Sequence, residues 1–292
     1  MDGDDHATQP PPPLGIDPDQ LEPELQAVIS FTPGGSLLAS VPAMSQRMVV
    51  LQLQCERDTD GWRDRASALG THAARRTLLA RLAWWLQSTA GARGAEGSGM
   101  ADSPPPADLL RGISILTFHC SIARRPAGAH DVLESGLALQ LMQPITRYFG
   151  GYDVRLLAGA ARLCSTLGQV ASNVPSEADE VTARAIATFC CRAFALHFEG
   201  VPGVHPQLPA EAHNALVALR ASRPLCVARA AVAALKTDAF SAGAAEVLGA
   251  IARDSIVSPP VAAACASEGL LEAIIDAAEE WPNDAGAQEQ VR

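Results

Sequence analysis

In the stretch VRLLAGAARLCSTLGQ, residues 154–169, the long polar side chains Arg155, Arg162 and Gln169 recur every seventh residue. Nearly everything between them is apolar or small. A helix with so narrow a polar stripe has to be covered on several sides. It needs neighbours both before and after it in the chain, and a stack of helices supplies both. This one stretch therefore points to an all-α array.

Composition supports that reading. Hydrophobic residues make up 48% of the 292 residues but aromatics only 4%, so the apolar content is mostly Ala, Leu, Val and Ile. Ala and Leu are strong helix formers, and small side chains let helices approach closely. The formal net charge of -10 lacks the basic footprint of a nucleic-acid binder. Lys236 is the single lysine. No phosphate loop ending in Gly-Lys-Ser/Thr is therefore possible. The seven cysteines (Cys55, Cys120, Cys164, Cys190, Cys191, Cys226 and Cys265) form no Cys-x-x-Cys pair and sit mostly in apolar runs. They read as small hydrophobes in a reducing compartment. No run of apolar residues is long enough to span a bilayer. The expected location is the cytoplasm.

Breakers divide the chain. Residues 1–13, ending in Pro10 to Pro13, read as a disordered tail. Residues 14–90 form an N-terminal helical segment in which MVVLQLQC (48–55) is ambiguous, alternating like a strand between helical flanks. The Gly/Ser/Pro-rich stretch 91–107 reads as a flexible linker or loop. Residues 108–282 pattern as helix after helix joined by short connectors, and 283–292 as a second disordered tail.

One phrase occurs twice. In LLRGISILTFHCSIARRPAGAHDVLESGLALQLMQPITRYFG an apolar helix ends, a connector follows, and a short helix leads to Gly136. A leucine-rich amphipathic helix begins there. AEVLGAIARDSIVSPPVAAACASEGLLEAIIDAAEEW repeats this order around Gly269. A sharp turn between two packed helices needs a positive φ or a close backbone approach, which explains the glycine. The two glycines are separated by roughly three units of the forty-odd residues found in armadillo or HEAT arrays. The pattern resembles the armadillo repeat. That family has an Ala-x-x-Leu-x-x-Leu helix, a connector, then a Gly opening a leucine-rich helix. ESGLALQLMQPI and SEGLLEAIIDAA match the last part, VRLLAGAARLCSTLG and AGAAEVLGAIARD the middle helix. The resemblance covers residues 107–281 and implies an armadillo-like superhelix. The chain departs from the import-receptor branch, whose groove carries Trp-x-x-x-Asn. Here Trp62, Trp84, Trp85 and Trp281 are followed four residues on by Ala66, Ser88, Thr89 and Ala285.

Patterns for chemistry fail one by one. Ser98 lies between Gly97 and Gly99, but Glu96 stands where the hydrolase elbow needs its first glycine. Cys190 and His197 share a helical face two turns apart, too far to chelate one ion, and read as core. His119 and Cys120 adjoin on another helix, and no local signature supports a cysteine nucleophile with a histidine and a third orienting residue. ARRTLLARLAWWLQ (74–87) could lie on a membrane surface, yet reads better as packing within the N-terminal unit. No catalytic, cofactor-binding or metal-binding residue is assigned.

The expectation is a non-catalytic scaffold or adaptor that binds another protein. An obligate subunit or assembly factor of a large complex is the alternative, and a helical enzyme with a dispersed site is the third reading. For docking, the Gly-opened helices carry polar stripes: Gln140, Gln143 and Arg147 on the first, Glu272, Asp276 and Glu279 on the second. If the array curves as the resemblance implies, both stripes face one groove. The acidic stripe suits a basic or Arg-containing segment.

Overall fold

The computed structural model describes residues 23–32, 37–57, 72–94, 104–122, 126–147, 153–171, 177–198 and 207–235. It also describes the single positions 263, 266, 269, 272, 275, 276 and 279. Among these residues the fold is all-α, with no strand. The chain divides into two compact units, residues 1–105 and 106–292. The expected tails 1–13 and 283–292, and the stretch AGAAEVLGAIARD (242–254), fall outside the described residues.

The first unit holds α1 (Pro23–Ile29), α2 (Leu37–Arg57) and α3 (His72–Gly94), each packed on the other two. The ambiguous stretch 48–55 is helical. Met44, Met48, Leu51 and Cys55 are buried at helical spacing, while Leu53, which alternation would bury, is exposed. Trp85 is fully buried, and its indole N–H donates to Ser45 Oγ at 3.0 Å. Phe31 packs against Trp84 at 5.9 Å between ring centroids and carries the Arg47 guanidinium over its ring at 5.0 Å. The stretch 74–87 is thus core packing of this unit. Its end also differs from expectation. Residues 91–94 continue α3, because Ala90 and Ala92 sustain the helix across Gly91, and Pro106 and Ala107 open the next one. Proline suits a first helical turn, where its missing N–H has no partner to lose. Residues 95–103 lie outside the described residues.

The second unit contains α4 (Pro106–Ile122), α5 (Pro126–Glu134), α6 (Leu137–Arg147), α7 (Val154–Ala171), α8 (Glu177–Phe198), α9 (Gln207–Ser222) and α10 (Pro224–Leu235). Its contacts alternate. Helix α7 packs against α4 and α9, while α8 packs against α6 and α10. Two layers result, α4–α7–α9 and α6–α8–α10, and the short α5 joins them at one end. The covering inferred for 154–169 is observed. Leu156, Leu157, Ala160, Ala161, Leu163, Cys164 and Leu167 are buried, and Arg155 and Arg162 are exposed. Two glycines mark the neighbours of α7. A Cβ on Gly159 would sit 3.2 Å from Ile113 Cγ2 of α4, and one on Gly168 3.2 Å from the Ala215 carbonyl oxygen of α9. Nine residues separate them, which is about half a turn around a helix of 3.6 residues per turn.

The repeated phrase has one repeated geometry. Gly136 has φ 70° and Gly269 φ 71°. Each donates its backbone N–H three residues back, Gly136 to Leu133 at 3.2 Å and Gly269 to Ala266 at 3.3 Å. Space around Gly136 is open, so left-handed backbone and not crowding selects the glycine. An L-residue there costs about 1–2 kcal/mol. Gly136→Ala is expected to destabilise the protein by about that much, and Gly136→Asn by less, since asparagine tolerates this region. Urea unfolding of both variants checks it. Equal effects of Ala and Asn would assign the glycine some other role.

Candidate docking surfaces

Helix α6 buries Leu137, Ala138, Leu141, Met142 and Ile145 and presents its opposite face. On that face Gln143 and Arg147 are exposed and Gln140 is half-buried. Pro144 lies inside α6 and has no N–H, so the Gln140 carbonyl has no helical donor four residues on. The C-terminal end of α6 is held by α8, whose Arg192 guanidinium donates to the Thr146 carbonyl. A cation at that end also complements the helix dipole. Glu272, Asp276 and Glu279 are helical and exposed, with Ile275 among them at 40% exposure. Each stripe is therefore solvent-facing on its own helix. Among the described residues no hydrogen bond or ion pair joins the two.

A second charged face lies on α7. Asp153 opens this helix, its carboxylate accepting from the Arg155 backbone N–H at 2.6 Å as an N-cap. Arg155 and Arg162 then project into solvent, and neither guanidinium pairs with a carboxylate among the described residues. Between them Ala158 and Gly159 are half-buried, and Ile113 and Leu110 of α4 lie against Gly159. The seven-residue polar spacing was visible in the sequence; the approach of α4 to Gly159 was not.

The buried polar groups make no open site. The His119 side chain, 1% exposed, lies 3.8 Å from Asp131, 5% exposed, tying α4 to α5. Nothing in the sequence singled out Asp131. Arg81 of α3 is 8% exposed, and burial lowers its pKa. The sulfur atoms cluster between helices, with the Cys164 thiol 3.3 Å from Met142 Sδ and Cys190 beside it. The side chain of His197, and Cys265, lie outside the described residues. Among the described residues no three His, Cys, Asp or Glu groups converge as a metal site would require. Among them, too, no helix is long and apolar enough to cross a membrane.

The six described cysteines are buried free thiols. Burial pushes Cys120 and Cys191 up to about 12 and Cys190 well above its ordinary value. Reactivity follows the thiolate, so a thiol reagent at neutral pH should leave these six unmodified until denaturant is added. Rapid native labelling of Cys120 or Cys191 would contradict their packing. The folded state holds these protons more tightly than the unfolded one. Stability is thus fully present below the ordinary thiol value of about 8.5 and falls as pH rises from there toward about 12.

No family model matches this chain, and no curated protein or solved structure matches it either.

Proposed function

We propose that this chain is a non-catalytic scaffold or adaptor that binds another protein on an armadillo-like α-solenoid. The observation that carries the reading is the two-layer alternation, α4–α7–α9 against α6–α8–α10, together with the same positive-φ glycine corner at Gly136 and Gly269. Stacked helical repeats bury a continuous core between layers and leave an extended surface for binding. Binding falls to the polar stripes, Gln140, Gln143 and Arg147 on one helix and Glu272, Asp276 and Glu279 on the other. The acidic stripe takes a basic or Arg-containing segment. The free thiols support a reducing compartment, the cytoplasm.

Reversing Glu272, Asp276 and Glu279 to Arg tests the reading. These residues are exposed, and surface changes of that kind usually alter stability by no more than about 0.5 kcal/mol. The variant is expected to keep its helical circular dichroism and melting temperature. It should lose proteins that the wild-type chain captures, as read by affinity purification and mass spectrometry. A folded variant that keeps every partner at unchanged affinity would leave the stripe as plain solvated surface.

One observation favours the second reading, a subunit of a larger complex. The outer face of α2 (Ala39, Pro42, Ala43, Gln46, Val50 and Leu53) is exposed and uncharged, with Val50 at 48% and Leu53 at 43%. A chain that aggregates alone and dissolves only with a partner would support that reading over the adaptor.

A further inference from the structure

We propose that Met142, Cys164 and Cys190 form a binding site for monovalent copper in the core of the second unit. The site is independent of the docking surfaces above. Its three sulfur atoms come from three helices, α6, α7 and α8, and each residue is 0% exposed. The Cys190 thiol donates a hydrogen bond to the Cys164 sulfur, and the Cys164 thiol donates to Met142 Sδ at 3.3 Å. Cys164 is thus in contact with both other sulfurs. Helices α6 and α8 belong to one layer and α7 to the other, so the cluster lies where the two layers meet.

The donor set selects the ion. Thiolate and thioether sulfur favour Cu(I) over harder divalent ions. Among the described residues no third thiol, imidazole or carboxylate converges on the pair of cysteines. The four ligands of a structural zinc site are therefore not assembled. Binding changes no oxidation state. A Cu–S bond forms, one thiol proton leaves for solvent, and the centre stays neutral, as a dry core demands. Leu141, Leu163 and Phe189, which precede the three donors in the chain, are also 0% exposed, so the ion is held away from water. The ion has to enter through an opening of the helices, which makes loading slow. Cysteine and methionine also fill cores as plain apolar groups, and the test has to separate that role from ligation.

The full chain, incubated without oxygen in ascorbate-reduced Cu(I) and then challenged with the chromophoric chelator bicinchoninate, tests this. The wild type should retain about one Cu(I) per chain, with X-ray absorption showing a shell of sulfur alone. Zn(II) offered in the same way should be stripped. Met142→Leu conserves volume and packing and removes only the thioether. It should weaken retention by at least about tenfold, the loss seen even when an outer-shell partner of a metal is removed. Cys164→Ala and Cys190→Ala should abolish retention, while Cys120→Ala on α4 and Cys226→Ala on α10 should keep it. Thiols of an unfolded chain also bind metal, so circular dichroism has to show each variant folded. Should either cysteine variant of the site unfold, Met142→Leu against Cys226→Ala decides. A wild-type chain that yields all its copper to the chelator overturns the proposal. So does retention that Met142→Leu leaves unchanged, which would make the cluster packing only.

Discussion

Replacing Gly168 with valine is expected to destabilise the second unit by about 1–3 kcal/mol, the range for overpacked cores. A Cβ at this position stands 3.2 Å from the Ala215 carbonyl oxygen and 3.5 Å from the Ala215 Cα. Both atoms belong to the α9 backbone and cannot swing aside as a side chain can. Helices α7 and α9 would have to separate, loosening contacts of Leu167 and Leu219, which are buried. Helix propensity acts the other way, since glycine is about 0.8–1.0 kcal/mol worse than alanine inside a helix. Gly159 supplies the contrast. Its nearest obstacles are the side-chain ends of Ile113 and Leu110, so Gly159→Ala should be close to neutral. At about 2–4 °C per kcal/mol for a domain of this size, Gly168→Val should lower the melting temperature by roughly 2–12 °C. A Gly168→Val chain that melts at the wild-type temperature would mean that α7 and α9 are not packed as described.

The second large effect lies in the first unit. Trp85→Ala is expected to cost about 3–5 kcal/mol, as large-to-small changes at buried aromatics do. Trp85 is 0% exposed, as are Leu78, Leu82 and Leu86 of its own helix and Met44 and Met48 of α2. Its indole N–H also spends its one donor on Ser45 Oγ, so alanine leaves both a cavity and an unpaired hydroxyl. Hydrogen exchange should show protection lost across α1 to α3 first, since Trp85 belongs to their shared core. An exchange pattern unchanged in α1 and α2 would deny that this residue holds the three helices together.

How much of this was legible in the sequence depends on range. The helices were legible because their signals are local. Periodicity placed Arg155 and Arg162 on one exposed stripe, and the glycine rule anticipated the positive φ at Gly136 and Gly269. The stretch 48–55 was ambiguous because Leu51, Leu53 and Cys55 satisfy alternation while Met44, Met48, Leu51 and Cys55 satisfy the helical period. Burial decides between them, and burial depends on α1 and α3. Helix ends shifted by a few residues where no strong cap was written, as at Gly94. The exposed positions of Gln143, Arg147, Glu272, Asp276 and Glu279 were readable as the polar sides of amphipathic helices. The His119–Asp131 pair was not, because its members are on different helices and only the packing of α4 on α5 brings them together. The approach of Ile113 to Gly159 was hidden for the same reason: it needs α4 to lie against α7.

On the solenoid proposed above, the corner repeated at Gly136 and Gly269 belongs to one stack of helices in two layers. A crystal structure of the full chain tests it most directly. The helix opened by Gly269 is expected to extend the layer of α6, α8 and α10, with α4 and that helix at opposite ends of the stack. A closed bundle in which the Gly269 helix packs against α4 around a single core would contradict it.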